Sequence, residues 1–265
     1  MKIGSLVLVP LLGAIAPVLL HAQTDYRNLD DDRPLRTGDA YPIERYAFEL
    51  VVPYELDHGP GADVHVVAPE LSYGIARNAQ VELQLPFAAV RSGGSTEWGF
   101  AGPRVGLLYN LNTDGPALPA LSLGGRVAVP AGDLAPDDPR VTLLGIATRS
   151  WGRTRVHLNA AAGFGDVDPG DVASDPDWSV SAALDRTLLR RSVLVIGELS
   201  VQGAGDGEPT EVSAAVGARM QVTPTLVADA GVTRRLTADA GPDLGLSVGL
   251  SYVFGVAALM PGGER

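Results

Sequence analysis

The sequence predicts an all-β protein: a transmembrane, antiparallel, up-and-down β-barrel of about twelve strands. Three observations predict this fold. Apolar and polar residues alternate along long segments, tight and long connections follow each other in turn, and aromatic residues gather at the segment ends. All three are typical of barrels that cross an outer membrane.

The alternation is clearest in residues 244–254. Every second residue from Leu244 to Phe254 is large and apolar, and those between them are Gly or Ser, apart from Val253. Residues 211–221 repeat the pattern, with Glu211 and Arg219 on the polar face. Successive side chains of a strand point to opposite faces, so each segment has one apolar and one polar or small face.

The same pattern predicts twelve strands within a barrel that spans residues 44–255. Most of them exceed the roughly 9–11 residues with which a tilted strand crosses a bilayer. A soluble periplasmic all-β protein is the alternative, and strand length argues against it. The predicted strands are 44–55, 62–76, 79–91, 97–110, 118–130, 140–151, 153–166, 176–188, 192–203, 209–221, 224–236 and 244–255.

The connections predict the orientation. Tight links at 77–78, 152, 188–191 and 223–224 alternate with longer links rich in Asp, Gly and Pro. The link at 111–117 is an exception, because it is longer than the other links on the short-turn side. Outer-membrane barrels carry short turns on the periplasmic side and long loops outside. We therefore expect both termini to be periplasmic. The long links are 56–61, 91–97, 131–139, 166–176, 203–209 and 237–243.

Aromatic residues form two groups, as expected of belts at the two membrane interfaces. Phe48 and Phe100 are less clearly at a strand end. The group at the long-loop ends is Tyr54, Phe87, Trp98, Phe164 and Trp178, and the group at the short-turn ends is Tyr46, Tyr73, Tyr109, Trp151, Tyr252 and Phe254.

The N-terminus predicts export. Lys2 precedes an apolar stretch over residues 3–20, and Ala22 supplies a small residue before polar sequence, which is the pattern of a cleaved signal peptide over residues 1–22. An uncleaved anchor helix is the alternative, and Pro10 and Pro17 disfavour it. Residues 23–43 predict an irregular acidic segment that either extends into the periplasm or folds back into the lumen. Residues 256–265 predict a C-terminal tail.

Charge and composition exclude several classes of function. The chain has 31 acidic and 20 basic residues and a formal net charge of −11. Nucleic acid is an unsuitable partner, because binding its phosphates needs a cationic surface. The chain has no cysteine. We expect outer-membrane lipid and a small-molecule solute as partners, and leave the oligomeric state open.

Alternation also places charged residues of both signs on the inner face. One interpretation is a polar pore lining that selects solutes, and the other is a network of paired charges that fills a narrow lumen. Charges on the outer face would be costly, since an Arg at the bilayer midplane costs about 2–4 kcal/mol. The lumen-lining candidates are Glu49, Glu82, Arg104, Arg126, Arg155, His157, Glu198, Glu211, Arg219 and Asp229.

We expect neither catalysis nor a bound cofactor or metal. His58, His65 and His157 are scattered, and a nucleophilic site would need a base within hydrogen-bond reach of its nucleophile. A lumen histidine with satisfied hydrogen bonds is therefore the preferred interpretation of His157. Aspartates over residues 133–138 could hold calcium through their carboxylates, but a solvated loop is the simpler interpretation.

Three stretches resemble the outer-membrane proteins associated with the meta-cleavage pathway of phenol degradation. They are R-P-L-R-T-G-D-A at residues 33–40, leading into E-R-Y-A-F-E-L at 44–50; A-P-E-L-S-Y-G-I-A-R-N-A-Q-V-E-L-Q-L-P-F at 68–87; and P-A-L-P-A-L-S-L-G-G-R-V-A-V-P-A-G-D at 116–133, with V-H-L-N-A at 156–160. The resemblance implies an outer-membrane barrel that passes small aromatic or other hydrophobic compounds, and it implies no catalytic residues.

The sequence thus predicts a channel or transporter for small molecules in the outer membrane. The alternative is a structural or adhesive barrel that transports nothing and has a filled lumen.

Overall fold

The computed structural model describes residues 26–29, 33–165, 176–188, 192–203, 209–238 and 240–260. The predicted signal peptide, most of the link at 166–176 and the last five residues of the tail lie outside these ranges. The strands are β1 (Ala47–His58), β2 (Ala62–Val67), β3 (Glu70–Ala76), β4 (Ala79–Gln84), β5 (Phe87–Ser92), β6 (Ser95–Phe100), β7 (Arg104–Asn112), β8 (Ala120–Ala128), β9 (Arg140–Trp151), β10 (Thr154–Phe164), β11 (Trp178–Leu188), β12 (Val193–Gly203), β13 (Glu211–Thr223), β14 (Leu226–Arg235) and β15 (Leu244–Gly255).

These strands form one closed antiparallel sheet. The segments β2 and β3, β4 and β5, and β6 and β7 each form one interrupted wall strand, so the fifteen described segments make twelve wall strands. The last strand closes onto the first, from Ala47 opposite Gly255 to His58 opposite Leu244. The predicted fold class is confirmed. Among the described strands, all but β6 are paired on both sides, and β6 pairs with β5 alone. The closed part of the wall thus has no open edge, as a membrane requires.

Prolines interrupt three neighbouring wall strands. Pro69, Pro86 and Pro103 lie in the gaps between the paired segments. A proline has no amide hydrogen for the ladder, so it breaks the regular pairing. The seam stays connected through proline carbonyls: Leu85 N donates to Pro69 O at 2.8 Å, and Ala101 N donates to Pro86 O at 2.9 Å. The segments predicted at 62–76, 79–91 and 97–110 are therefore each in two parts.

Two of the predicted long links are tighter than expected. β1 continues to His58, and β5 and β6 form a hairpin around Gly93 and Gly94. Both glycines have positive φ, 58° and 85°, which a two-residue hairpin turn of type I′ requires. The wall thus extends beyond the proline seam on the long-loop side through the strands β2, β5 and β6.

The entry into the first strand depends on a glycine. Tyr46 N donates to Gly74 O at 2.7 Å, and a β-carbon at Gly74 would lie 2.1 Å from Glu44 O. The chain therefore lies against β3 before the ladder begins. The first strand starts at Ala47 rather than at residue 44 for this reason.

The outer face of the wall is apolar around the barrel. Leu158, Leu199, Val216 and Leu250 each expose more than half of their surface. Contiguous exposed apolar surface of this extent needs lipid or a partner to cover it. No helix in the described ranges is long and apolar enough to cross a membrane.

Aromatic rings lie in two groups on this outer face. At the short-turn end, Phe48 stacks on Tyr73 with ring centroids 4.5 Å apart and on Phe254 at 5.4 Å. At the other end, Phe100 lies 5.1 Å from Phe87. Phe48 and Phe100, whose position the sequence left unclear, thus join the two belts.

Candidate functional site

The lumen contains the segment that precedes the first strand. We call its described residues, 26–29 and 33–43, the plug. The sequence left open whether this segment enters the barrel, and the structure places these residues inside the wall. Tyr26, Leu29 and Leu35 are buried against inward apolar side chains of β11 to β14. Elsewhere on the inner wall, Ala40 and Tyr41 of the plug pack against apolar side chains of β7, β8 and β9. These are Leu108, Ala120, Leu144 and Ile146.

The plug contacts the wall strands in a regular order. Arg33 Nη1 donates to Asp229 Oδ2 at 3.1 Å on β14. Further along, Thr37 N donates to Glu198 Oε2 at 2.7 Å on β12, and Thr37 Oγ1 donates to Ser181 Oγ at 2.7 Å on β11. The plug therefore runs along the inner wall in the direction opposite to strand number.

The remainder of the plug reaches the first half of the barrel. Ala40 N donates to Thr148 Oγ1 at 3.0 Å on β9, and Ala40 O accepts from Asn110 Nδ2 at 2.7 Å on β7. Ile43 N donates to Gln80 Oε1 at 2.6 Å on β4. Wall side chains thus satisfy backbone groups of a segment without regular secondary structure, as buried backbone groups require.

A buried charge network joins the plug to β10 and β11. Arg155 Nε and Nη2 donate to Asp185 Oδ2 at 2.8 Å and 2.6 Å, and Arg155 Nη1 donates to Asp39 Oδ2 at 2.9 Å. His157 Nε2 lies 3.0 Å from Asp185 Oδ2, and its Nδ1 lies 3.0 Å from Thr148 Oγ1. All five side chains are nearly or fully buried.

The Thr148–His157–Asp185 arrangement has the order of a nucleophile, base and carboxylate. Thr148 is fully buried, and its Oγ1 accepts the hydrogen bond of Ala40 N. A substrate carbonyl has no approach to Thr148 in this structure. The three residues instead hold the plug, which agrees with interpreting His157 as a lumen histidine with satisfied hydrogen bonds.

Hydrogen bonds and ion pairs join at least five of the ten lumen-lining candidates to the described residues of the plug. Beyond Arg155, Glu198 and Asp229, these are Arg219, whose Nη1 donates to Asn28 O, and Glu211, whose Oε1 lies 3.6 Å from Arg36 Nη2. The sequence predicted charges of both signs on this face, but it assigned no partners in residues 26–43. Arg33, Arg36, Thr37 and Asp39 were missed as site residues, although the R-P-L-R-T-G-D-A stretch contains them all.

The other candidates surround the plug. Glu49 is buried on β1. Glu82 Oε1 accepts from Gln80 Nε2 at 2.7 Å, and Arg104 Nη1 donates to Gln84 Oε1 at 3.3 Å. Arg126 lines open space on β8. Glu82 and Arg104 lie on β4 and β7, which pair with each other.

Two cavities lie beside the plug. The vestibule, on the long-loop side, has a volume of about 690 Å³ and is lined by plug residues 34–36 and by side chains that include Glu55, Asp57, Arg104 and Gln202. The slot has a volume of about 50 Å³ and lies between plug residues 28–29, 38–39 and 41 and strands β3, β4 and β7 to β9. Gln84, Arg126 and Leu144 line both cavities, so the slot adjoins the vestibule.

In the described ranges, no group of three or more His, Asp or Glu side chains is arranged to hold an ion. Aspartates 133, 137 and 138 belong to these ranges.

The family resemblance is confirmed. A family model described as "Putative MetA-pathway of phenol degradation" matches residues 50–254. The match begins after the plug, so the R-P-L-R-T-G-D-A stretch lies before it. None of the curated protein sequences matches the chain.

Solved structures share the fold. An outer-membrane channel from Pseudomonas putida F1 superposes with a TM-score of 0.65 at 18% identity, covering 82% of this chain and 98% of that chain. The KdgM porin gives 0.55 at 14% identity and the NanC porin 0.53 at 9%, each covering 77% of this chain and 98% of the other. At these identities the likeness shows the fold alone.

Proposed function

The chain belongs to this family of the MetA pathway of phenol degradation, and from that premise we propose that it forms a channel for small molecules in the outer membrane. The vestibule is the observation that carries the proposal. Its volume of about 690 Å³ lies within the roughly 300–1,000 Å³ typical of small-molecule sites. It adjoins a slot that lies beside the plug.

Two further findings support a channel. The Pseudomonas putida F1 protein, which has the same fold, is described as an outer-membrane channel. The family description refers to phenol degradation, and it favours small aromatic solutes as the cargo. Four of the predicted lumen-lining residues, Glu82, Arg104, Arg126 and Glu211, border the vestibule or the slot. We propose that Glu82, Arg104 and Arg126 meet the solute, because Glu211 already faces Arg36 of the plug.

The plug determines how wide the passage is. Its described residues run along the inner wall from β14 to β4 and leave the slot as a small space beside β3, β4 and β7 to β9. A narrow passage admits ions and small solutes and excludes larger ones. A filled lumen is also what the structural or adhesive alternative requires, so one measurement should separate the two functions.

Conductance in planar bilayers makes that separation. We expect the wild-type protein to give small conductance steps, and a variant lacking residues 26–43 to give larger ones, because the wall then encloses the whole lumen. Arg153→Gln, an exposed substitution at the tight turn before β10, is the matched control and should behave as wild type. Gel mobility with and without boiling verifies that each variant is folded.

The absence of channel current from both proteins would contradict the proposed channel function. If folded wild-type protein and the folded deletion variant carry no current, the barrel is structural or adhesive.

A further inference from the structure

The outer face of β9, β10 and β11 carries charge at its short-turn end. In the described parts of these strands, the outward charged side chains are Arg149 and Arg186, and no outward side chain is acidic. Arg186 points outward because Asp185, which precedes it, is buried in the lumen. On the same face of β11, Arg186 lies between the exposed side chains of Leu184 and Leu188. Arg186 therefore lies at the border of the apolar band rather than beyond it.

A hydroxyl group and an indole ring lie beside Arg186. Thr154 of β10 is in register with Trp151 of β9 on one side and with Arg186 of β11 on the other. Neighbouring strands are about 4.8 Å apart, so the three residues form one outward row about 10 Å long. Trp151 is 58% exposed, and Trp side chains concentrate at membrane–water interfaces. The row therefore lies at the level of the lipid headgroups.

Arg149 has its counter-ion within the protein. Its Nη1 lies 3.2 Å from Asp114 Oδ1, and its Nη2 donates to Pro116 O at 3.1 Å. The central guanidinium carbon of Arg149 lies 5.9 Å from the ring centroid of Trp151. Arg149 thus joins the indole ring to the link between β7 and β8 and needs no further anion.

Arg186 has no carboxylate partner among the described residues, where its Nη1 donates to Thr154 Oγ1 at 3.4 Å. Because the hydroxyl group accepts this bond, its own hydrogen remains available as a donor. Arg153 adds an exposed guanidinium in the two-residue turn after Gly152. The turn is fixed, since Gly152 has a φ of 62° and Thr187 N donates to Arg153 O at 3.0 Å.

We propose that Arg186, Thr154, Arg153 and Trp151 bind the phosphate group of an anionic phospholipid in the periplasmic leaflet. The two arginines supply the charge and Thr154 supplies a hydroxyl donor, while Trp151 packs beside the glycerol and the first part of an acyl chain. A guanidinium group matches a phosphate through two parallel hydrogen bonds. The bound phosphate is the counter-ion of Arg186.

Charge and position determine which lipid fits. Short turns of outer-membrane barrels face the periplasm, where the leaflet consists of phospholipid rather than lipopolysaccharide. A phosphodiester with an uncharged headgroup, such as phosphatidylglycerol, suits two neighbouring guanidinium groups. The ammonium group of a zwitterionic phospholipid would be repelled by the second guanidinium. The site therefore prefers phosphatidylglycerol to phosphatidylcholine.

Native mass spectrometry of the folded protein tests this preference. The protein is released from micelles that contain equal amounts of phosphatidylglycerol and phosphatidylcholine with the same acyl chains. Wild-type protein should retain one phosphatidylglycerol molecule in preference to phosphatidylcholine. Arg186→Gln should lower the ratio of bound phosphatidylglycerol to bound phosphatidylcholine about fivefold, because one Arg near an anionic surface contributes about 1 kcal/mol and 1.4 kcal/mol corresponds to tenfold.

Further variants locate the site. Arg186→Lys keeps the charge and should retain part of the preference. Thr154→Val removes the hydroxyl group without a change of charge and should lower the ratio by a smaller factor. Arg77→Gln removes the same charge from the exposed turn between β3 and β4. It is the matched control and should leave the ratio unchanged.

Three results would overturn the lipid site: equal retention of the two lipids by wild type, an unchanged ratio in Arg186→Gln or Thr154→Val, or an equal reduction in Arg77→Gln and Arg186→Gln. The last result would show that overall surface charge attracts the lipid. Gel mobility with and without boiling verifies folding. The lipid site does not depend on conduction, so Arg186→Gln should conduct as wild type does.

Discussion

Asp185 is the residue on which the buried charges of the lumen converge. Its Oδ2 accepts from two nitrogens of Arg155 and lies 3.0 Å from His157 Nε2, and all three side chains are buried. Arg155 in turn reaches Asp39 of the plug. A change at this one carboxylate therefore affects both the wall and the plug.

Asp185→Asn should lower the free energy of unfolding by about 1.5–3 kcal/mol, because it removes the charged acceptor of two Arg155 hydrogen bonds while Arg155 keeps its ion pair with Asp39. Asp63→Asn is the matched control, since its ion pair with His58 is largely exposed and such pairs contribute only about 0–1 kcal/mol. Urea titration in detergent, followed by tryptophan fluorescence, measures both. Equal effects of the two substitutions would show that the network does not stabilise the barrel.

The plug is an element held by side chains rather than by its own secondary structure. Three of its amide groups, at Thr37, Ala40 and Ile43, donate to side chains on β12, β9 and β4. Each contact joins residues far apart in sequence. The plug can therefore take this path only when the wall is closed around it.

A disulfide tests the path of the plug, and the absence of native cysteine makes the readout clean. Thr37 Oγ1 and Ser181 Oγ lie 2.7 Å apart, so the double variant Thr37→Cys with Ser181→Cys should oxidise readily and lose its thiol labelling. Thr37→Cys with Ser251→Cys is the control. β15 lies several strands from β11 and β12, and neighbouring strands are about 4.8 Å apart, so this pair should stay reduced. Cross-linking of the control pair alone would contradict the path described.

At the scale of the molecule, the barrel depends on the pairing of its first and last strands. β15 pairs with β14 on one side and with β1 on the other, and Leu250 lies opposite both Ala228 and Val52. Whichever way the amide of residue 250 points, it meets a neighbouring strand. Closure therefore leaves no position in mid-β15 where an amide can be lost without cost.

Leu250→Pro should prevent closure, because proline removes a ladder hydrogen bond and is excluded from strands paired on both sides. We expect loss of the folded band that changes mobility on boiling, whereas Leu250→Ile should retain it in the membrane fraction. A Leu250→Pro protein with an unchanged folded band would mean that β1 and β15 need not pair.

The wall was largely predictable because its information is local. Alternation marks the two faces of β13 and β15 residue by residue, and the tight links mark the strand ends. The differences arise where local chemistry competes with alternation: Pro69, Pro86 and Pro103 divide three strands, and Gly93 and Gly94 turn a predicted loop into a hairpin.

The sequence by itself determined a membrane-spanning barrel, its approximate strands and a charged inner face, because a lipid environment imposes a period of two on every strand. Only the tertiary structure decided what fills the lumen. Arg33 meets Asp229 and Asp39 meets Arg155 across more than a hundred residues. Such partners become neighbours only after closure, so no local pattern in residues 23–43 could reveal the plug, the vestibule or the slot.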